Sequence, residues 1–406
     1  MTRDDLPSLL LLAAPPEPAS RPSLSAAYKP ALTAALAKLK DASRSQTLVV
    51  AVAYPVLRGS GLRHKTISWP ETQHMLAGLY TIIAVVCAEL SIPSYMNAGP
   101  GSVDARVVLI DHEKRRRYGQ GYRAAIEPNN TSIVDLATFV SAYHPWRYIF
   151  STDSEAAHEL HSLYLKLAEG QQKLLQEQLI TVKGGIALKV QSTEEPAPPS
   201  SPETKSYKTV CLGGTFDHLH PGHKLLLTAG AYLLDVPEKG SANTCTYVIG
   251  ITGDELLKKK KDAEVLEPWD DRARNVIQFL SSILELSSEG WARVAAPKVE
   301  EKDGDFVSTL RDGTITIQCV RIQDPFGPTI TQEDLDSLVV SAETRSGGQA
   351  VNNERAKRGW KDLEVFEVDV LDAGEVSDAP PSTQDFSSKI SSTAIRRQIA
   401  EAIASQ

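Results

Sequence analysis

Short runs of apolar residues alternate along this chain with longer stretches in which apolar positions recur every three or four residues. The first pattern predicts buried strands of a parallel sheet, and the second predicts helices packed on it. In the first half, Leu48–Val52, Val107–Ile110 and Tyr148–Phe150 read as strands. Met75–Leu90 and Ile133–Tyr143 read as helical, and a long helix is expected from Ser154 to Leu179. The alternation stops at QSTEEPAPPSSPETKS, residues 191–206, which has too little apolar surface to offset the entropy of ordering it and reads as an interdomain linker. Beyond it, Thr209–Leu212, Tyr247–Ile251, Thr314–Arg321, Leu338–Ser341 and Leu363–Leu371 are expected as strands, and Lys224–Leu234, Asp271–Leu286 and Thr393–Ala404 as helices. On the last of these Ile395, Ile399 and Ile403 share a face, and Arg396 and Arg397 are expected to point elsewhere. The acidic, Pro/Ser-rich segment 372–388 is expected to be a mobile loop. The predicted class is α/β, with one domain over residues 25–190, a second over 207–406, and residues 1–24 as a disordered tail.

Composition narrows the partners. A formal charge of −8 gives no overall pull toward nucleic acid or an anionic membrane. The basic run Lys114–Arg117 beside His112 reads as a solvated face. Cys87, Cys211, Cys245 and Cys319 are scattered, without metal-site pairing or the density of a secreted scaffold, which favours a reducing compartment. The apolar run Leu9–Ala14 follows Asp4 and Asp5 and precedes Pro15 and Pro16, a poor signal peptide, and no stretch is apolar for long enough to span a bilayer. A cytoplasmic protein is expected.

The candidate chemistry lies in two places. In GGTFDHLHPGHKLLL, residues 213–227, a strand runs into Gly213 and Gly214, passes Thr215 and Phe216, and enters a helix near Pro221. A glycine pair lets backbone approach a phosphate, Pro is tolerated in a first helical turn, and a helix amino terminus offers free N–H donors to an anion. His220 and His223 add neutral or cationic donors at the same spot. Near the carboxy terminus, KISSTAIRRQI, residues 389–399, places Ser391, Ser392 and Thr393 at a helix start, with Arg396 one turn in. Each feature alone has a plain alternative, a tight turn for the first and a Ser/Thr cap for the second.

Together the HxGH and ISSTxIR strings resemble the nucleotidyltransferase superfamily, in the form of the eukaryotic and archaeal pantetheine-phosphate adenylyltransferases. Two further segments resemble that subfamily: GITGDELLKKKKDAEVLEPWDDR, residues 250–272, and VVSAETRSGGQAVNNER, residues 339–355. The resemblance covers Tyr207 to Gln406 and implies a Rossmann-like parallel sheet with its site at the carboxyl ends of the strands. It implies transfer of AMP from ATP to 4′-phosphopantetheine, with His223, His220 and Thr215 at the reacting phosphates. Gly213, Gly214, Phe216, Ser391, Ser392, Thr393 and Arg396 would then hold ATP, and Mg²⁺ would accompany it. Lys260, Thr215, Arg345 and Arg355 would hold the acceptor, Lys260 being one of four successive lysines. Cytidylyl transfer, mononucleotide adenylyl transfer and a non-catalytic scaffold remain open as alternatives. The chain has no G-x-x-x-x-G-K-[ST] loop for a fused kinase. The first domain carries no catalytic motif, and a regulatory role, or assembly with other coenzyme A pathway enzymes, is expected of it.

Overall fold

The computed structural model describes residues 5–114, 116, 129–143, 145–186, 202–286, 296–371 and 391–405. The first half runs β1 (Ser8–Leu12), α1 (Arg21–Leu39), β2 (Gln46–Tyr54), α2 (Trp69–Glu89), β3 (Val103–Asp111), β4 (Val134–Asp135), α3 (Leu136–Ala142), β5 (Ile149–Thr152), α4 (Glu155–Ala168) and β6 (Leu179–Val182). Its six strands are all parallel, in the order β4-β3-β2-β1-β5-β6. Strands covered on both faces can be apolar at every position, and SLLLL in β1 and QTLVVAVAY in β2 are nearly so.

The second half runs β7 (Thr209–Gly214), α5 (Pro221–Ala231), β8 (Cys245–Thr252), α6 (Asp254–Leu257), α7 (Trp269–Leu284), β9 (Glu300–Lys302), β10 (Asp305–Leu310), β11 (Ile315–Ile322), β12 (Ser337–Ser341), α8 (Arg345–Lys357), β13 (Glu364–Val368) and α9 (Ser392–Ala404). The sheet order is β13-β12-β7-β8-β11-β10-β9. The first five are parallel, and the β9–β10 hairpin is appended antiparallel to β11. In both sheets the first strand of the half lies centrally with order reversing beside it, the doubly wound arrangement that opens a crevice at the strands' carboxyl ends.

Four expectations change. The segment expected as a disordered tail contains β1, a central strand, and the start of α1, because Leu9 to Leu11 pair with β2 on one edge and β5 on the other. The long helix expected to reach Leu179 stops at Ala168, where Gly170 takes φ +77°, and Leu179 begins strand β6. The end of the linker is not free, since Thr204 bridges to Ile67 and its Oγ1 accepts from Trp69 N–H. The rest of it, to residue 201, and the whole of 372–388 lie outside the described residues. Finally, a helix at 345–357 stands where no element was expected.

The halves are not separate bodies. One cluster of buried apolar side chains runs through both. The helix α2 is buried almost all round, as its apolar sequence MLAGLYTIIAVVC requires. It packs on α1 and on α5, while α5 and α7 both reach β3. Polar contacts cross the seam too: the Tyr80 and Thr228 hydroxyls bond at 3.2 Å, Tyr232 Oη receives Leu109 N–H at 2.9 Å, and Trp69 Nε1–H donates to Glu367 O at 3.0 Å. Within the second half, Gly230 lets α5 close onto β8, where a Cβ would stand 2.2 Å from the Tyr247 hydroxyl.

Candidate active site

The loop between β7 and α5 is a strained turn held from several sides. Phe216 and His218 take φ of +54° and +46°, a region that non-glycine residues occupy only when their surroundings impose it. The restraints are visible. Asp217 is fully buried, with Oδ2 accepting from Arg396 Nη1 at 2.7 Å and Oδ1 from Glu267 N–H at 3.0 Å. His218 N–H donates to Glu267 Oε2 at 2.8 Å, and Ser392 Oγ donates to Asp217 O at 3.1 Å. Arg272 fastens the preceding residue, donating to Thr215 O at 2.7 Å, and its other donors reach Glu267 O and Asp254. Gly214 is needed beside this turn, because a Cβ would come within 3.0 Å of the Phe216 ring.

His220 caps α5: its Nδ1 accepts from Gly222 N–H at 3.2 Å, and Pro221 occupies the first turn, where its missing N–H costs nothing. With Nδ1 accepting, the neutral ring carries its proton on Nε2, which lies 3.2 Å from Ser392 Oγ. A relay thus runs from His220 Nε2–H through the Ser392 hydroxyl to Asp217 O, joining the two sequence motifs across 172 residues. The His223 ring stacks on His220 with centroids 3.9 Å apart, and Phe216 flanks it at 5.2 Å. His223 Nδ1 is buried and has no hydrogen-bond partner among the described residues.

Burial first, then the neighbouring His223, Lys224 and His218, holds the His220 imidazole well below its ordinary range. Burial, then Lys224 and His218, pushes His223 down to about 3. Burial and the neighbouring cation thus favour the neutral form of both rings over the cationic one. At the amino end of α5 the His220 N–H is committed to Ser392, which leaves His223 as the imidazole of the pair with hydrogen-bonding capacity to offer an anion.

The remaining candidates divide. Gly213, Gly214 and Thr215 lie at the partly open carboxyl end of β7. Ser391 caps α9, accepting from Ala394 N–H at 3.3 Å, and Thr393 is exposed on its first turn. Arg396 is a correction: it points inward, 3% exposed, bonded to Asp217, Lys261 O and Thr393 Oγ1. It ties α9 to the histidine loop instead of standing open to a triphosphate; of the isoleucines that share one face of α9, Ile395 is buried and Ile403 is 61% exposed. Arg355 is a second correction. Its guanidinium is fully buried and donates to the carbonyls of Lys361, Thr329, Gln332 and Glu333 at 2.8–3.0 Å, so it holds the chain around α8 and cannot reach an acceptor. Arg345 stays exposed at the start of α8, just beyond β12, paired with both oxygens of Glu367. Lys260 is exposed on the turn after α6. Asp217, Glu267 and Arg272 were not singled out by sequence. Asp217 lies inside the histidine string, and Arg272 is an arginine on the apolar face of α7, a signal for a buried, fully bonded guanidinium.

Among the described residues, Asp217, His218 and Glu267 bring three possible metal-ligand atoms within 4.8 Å of one another. They do not fit a cation site. Arg396 and Glu267 N–H occupy the Asp217 oxygens, His218 N–H and Asn275 occupy those of Glu267, and His218 Nε2 faces Val265 O at 3.0 Å. No helix among the described residues is long and apolar enough to cross a membrane.

Comparison with known proteins divides the chain at the same place as the sheets. Residues 1–188 match a domain of unknown function (DUF8446), and residues 211–398 match the cytidylyltransferase-like family. An uncharacterized protein of Schizosaccharomyces pombe is 39% identical over 47% of this chain and 48% of its own length. The phosphopantetheine adenylyltransferase of Saccharomyces cerevisiae is 32% identical over 48% of this chain and 50% of its own, so the chain spans only half of these two relatives. The phosphopantetheine adenylyltransferase of Pyrococcus horikoshii is 30% identical over 41% of this chain, and 81% of that protein is covered. The chain belongs to the cytidylyltransferase-like nucleotidyltransferases and, within them, is of the phosphopantetheine adenylyltransferase type.

Proposed function

We propose that this protein transfers AMP from ATP to 4′-phosphopantetheine, giving dephospho-coenzyme A and pyrophosphate, as a cytoplasmic step of coenzyme A synthesis. The observation that carries the reading is the junction of two helix starts: His220, stacked on His223 at the start of α5, meets Ser392 at the start of α9, on the loop that follows the Gly213–Gly214 end of β7. The names of the relatives in yeast and archaea support the choice of nucleotide and acceptor.

In this reading an acceptor phosphate oxygen attacks the α-phosphorus of ATP, a new P–O bond forms, and the bond to the β-phosphate breaks. The attacking phosphate is already an anion, so no side chain has to remove a proton. Positioning and stabilisation of the charge spreading over the phosphoryl oxygens supply the rate. His223 donates to the α-phosphate, and its Phe216 neighbour keeps water from that side of the ring. His220, through Ser392, seats the helix start at Ser391 to Thr393, whose backbone N–H groups take the β- and γ-phosphates. The backbone of Gly213 and Gly214 and the Thr215 hydroxyl lie between ATP and the acceptor, with Lys260 and Arg345 on the acceptor's side. Mg²⁺ would travel with ATP on the nucleotide's own oxygens, since the carboxylates nearby are committed.

Pyrophosphate release by the purified chain tests this, with ATP plus 4′-phosphopantetheine set against CTP plus phosphocholine and ATP plus nicotinamide mononucleotide. Turnover with the first pair alone is expected. Turnover only with another pair would replace the substrates, and a folded but silent protein would favour a non-catalytic scaffold.

A further inference from the structure

Lys224 follows His223 in α5, but its side chain runs into the seam between the two halves, where it is fully buried. Its ammonium lies 2.6 Å from Asp104 Oδ1 in β3 and donates to Ser94 O at 3.1 Å. The other oxygen of that carboxylate accepts from Nε and Nη2 of Arg106. All three side chains are buried. Two cations thus share one anion away from water, an arrangement whose desolvation costs several kcal/mol per ion and which an apolar contact would replace without loss of packing. The first half also grips the histidine loop twice more: Met96 N–H donates to Leu219 O at 3.1 Å, and the Tyr95 ring meets His218 edge-on at 5.5 Å.

We propose that Asp104, in the half with no catalytic motif, is a positioning residue of the transfer reaction: by pairing with Lys224, the residue that follows His223, it anchors the first turn of α5 to β3 and so keeps His220 and His223 seated at the amino end of that helix. The identity of the reaction rests on the reading above; the ion pair does not. Burial pushes the Lys224 ammonium down, Asp104 opposes that, and Arg106 and the Cys87 thiol on α2 are the other groups facing it. Burial disfavours the Asp104 carboxylate as well, yet Arg106 and Lys224 outweigh it and hold it at about 2. Around the imidazoles the charged or titratable neighbours are Lys224 and His218, the latter facing Glu267, Asp217 and Tyr95. With Lys224 charged, protonating either ring would place a second cation in the same buried turn.

The test uses the full chain with Lys224→Met, Asp104→Asn and the double variant. Imidazole NMR signals of His220 and His223, assigned by His220→Gln and His223→Gln, are followed against pH, and kcat and KM are measured with ATP and 4′-phosphopantetheine. In Lys224→Met and in Asp104→Asn both signals are expected to begin titrating at a pH higher by about one unit. Both variants are expected to lose about tenfold in kcat with little change in KM for the acceptor, and the double variant should fall no further than the worse single one. Unchanged imidazole titration in a folded Lys224→Met, or losses that multiply in the double variant, would overturn the proposal and leave the pair as packing. If Asp104→Asn does not fold, Lys224→Met decides by itself. Silence of the parent with these substrates counts against the reaction assigned above, while the titration still judges the ion pair.

Discussion

His223 has one ring face on His220, an edge near Phe216 and a buried Nδ1 without a partner, so its hydrogen-bonding capacity is not spent inside the protein. His223→Ala is expected to lower kcat by roughly 10²–10⁴-fold while ATP binding changes little, the mark of an interaction formed mainly in the transition state. Steady-state kinetics with calorimetric ATP binding checks this, and equal turnover would remove His223 from the mechanism. The depressed imidazoles also make a stability statement. A histidine that titrates lower in the fold than in the unfolded chain binds fewer protons when folded, so its contribution is intact above the ordinary value of 6.5 and is lost as pH falls from there toward about 3. The melting temperature should therefore drop between pH 7 and pH 5, and more shallowly in His220→Gln/His223→Gln than in the parent. An identical slope would contradict the buried, neutral assignment. These two residues were legible in sequence because Gly213 to His223 form one strand, loop and helix start, within which neighbours along the chain are neighbours in space. The buried commitments of Asp217 and Arg396 were not, since they join residues 179 apart.

At the scale of elements, the case of α8 separates charge from availability. Arg355 looked like a phosphate ligand because its segment resembled one, but its carbonyl partners come from the turn before β12 and the chain leading to β13. Removing the guanidinium leaves buried carbonyls unpaired, so Arg355→Met should cost about 3 kcal/mol or more in denaturant unfolding. Folded Arg355→Met should keep the parent's KM for the acceptor, and a raised KM at full stability would restore Arg355 to the binding site. Two other elements carried signals that periodicity does not register. Gly170 ends α4 although Leu174, Leu175 and Leu179 continue an apolar pattern, and the Asp303–Gly304 pair, with φ of +55° and +84°, makes the two-residue turn between β9 and β10. Both are turn chemistry, readable from glycine and its neighbour when the apolar pattern is not allowed to override it. The strands Leu48–Val52 and Tyr247–Ile251 were plain because a strand buried on both faces needs an unbroken apolar run.

Over the whole molecule, the catalytic half leans on the first. The surface of α5 away from β7 meets α2 and β3, and Lys224, Thr228 and Tyr232 each bond to first-half atoms there. Arg311 Nη2 donates to Ser132 O, and Tyr143 Oη donates to Ile283 O. Residues 202–406 expressed alone should therefore aggregate or bind hydrophobic dye, lacking the cooperative unfolding of the full chain, as checked by sedimentation and near-UV circular dichroism. A monomeric, cooperatively folding fragment would show that the seam is dispensable. The opposite expectation, two domains on a free linker, followed from composition, because Pro, Ser and Glu between residues 191 and 206 mark where the chain carries little apolar surface and say nothing of how the parts on either side dock. The same limit hid β1: a short apolar run between acidic residues and prolines resembles a tail until β2 and β5, distant in sequence, are seen to cover both its edges. By itself the sequence determined most of the inner strands and several of the helices beside them, the course of the chain from the strand at Thr209 through Gly213 to the helix start at His223, and the family to which it points, since these depend on side chains within a few residues of one another. The tertiary structure alone decided which faces meet, that burial disfavours charge on His220 and His223, that Arg355 and Arg396 are internal fastenings, and that a carboxylate from the first half pairs with Lys224 of α5. Burial and charge pairing are set by atoms brought together across long stretches of chain, and no local pattern encodes their distances.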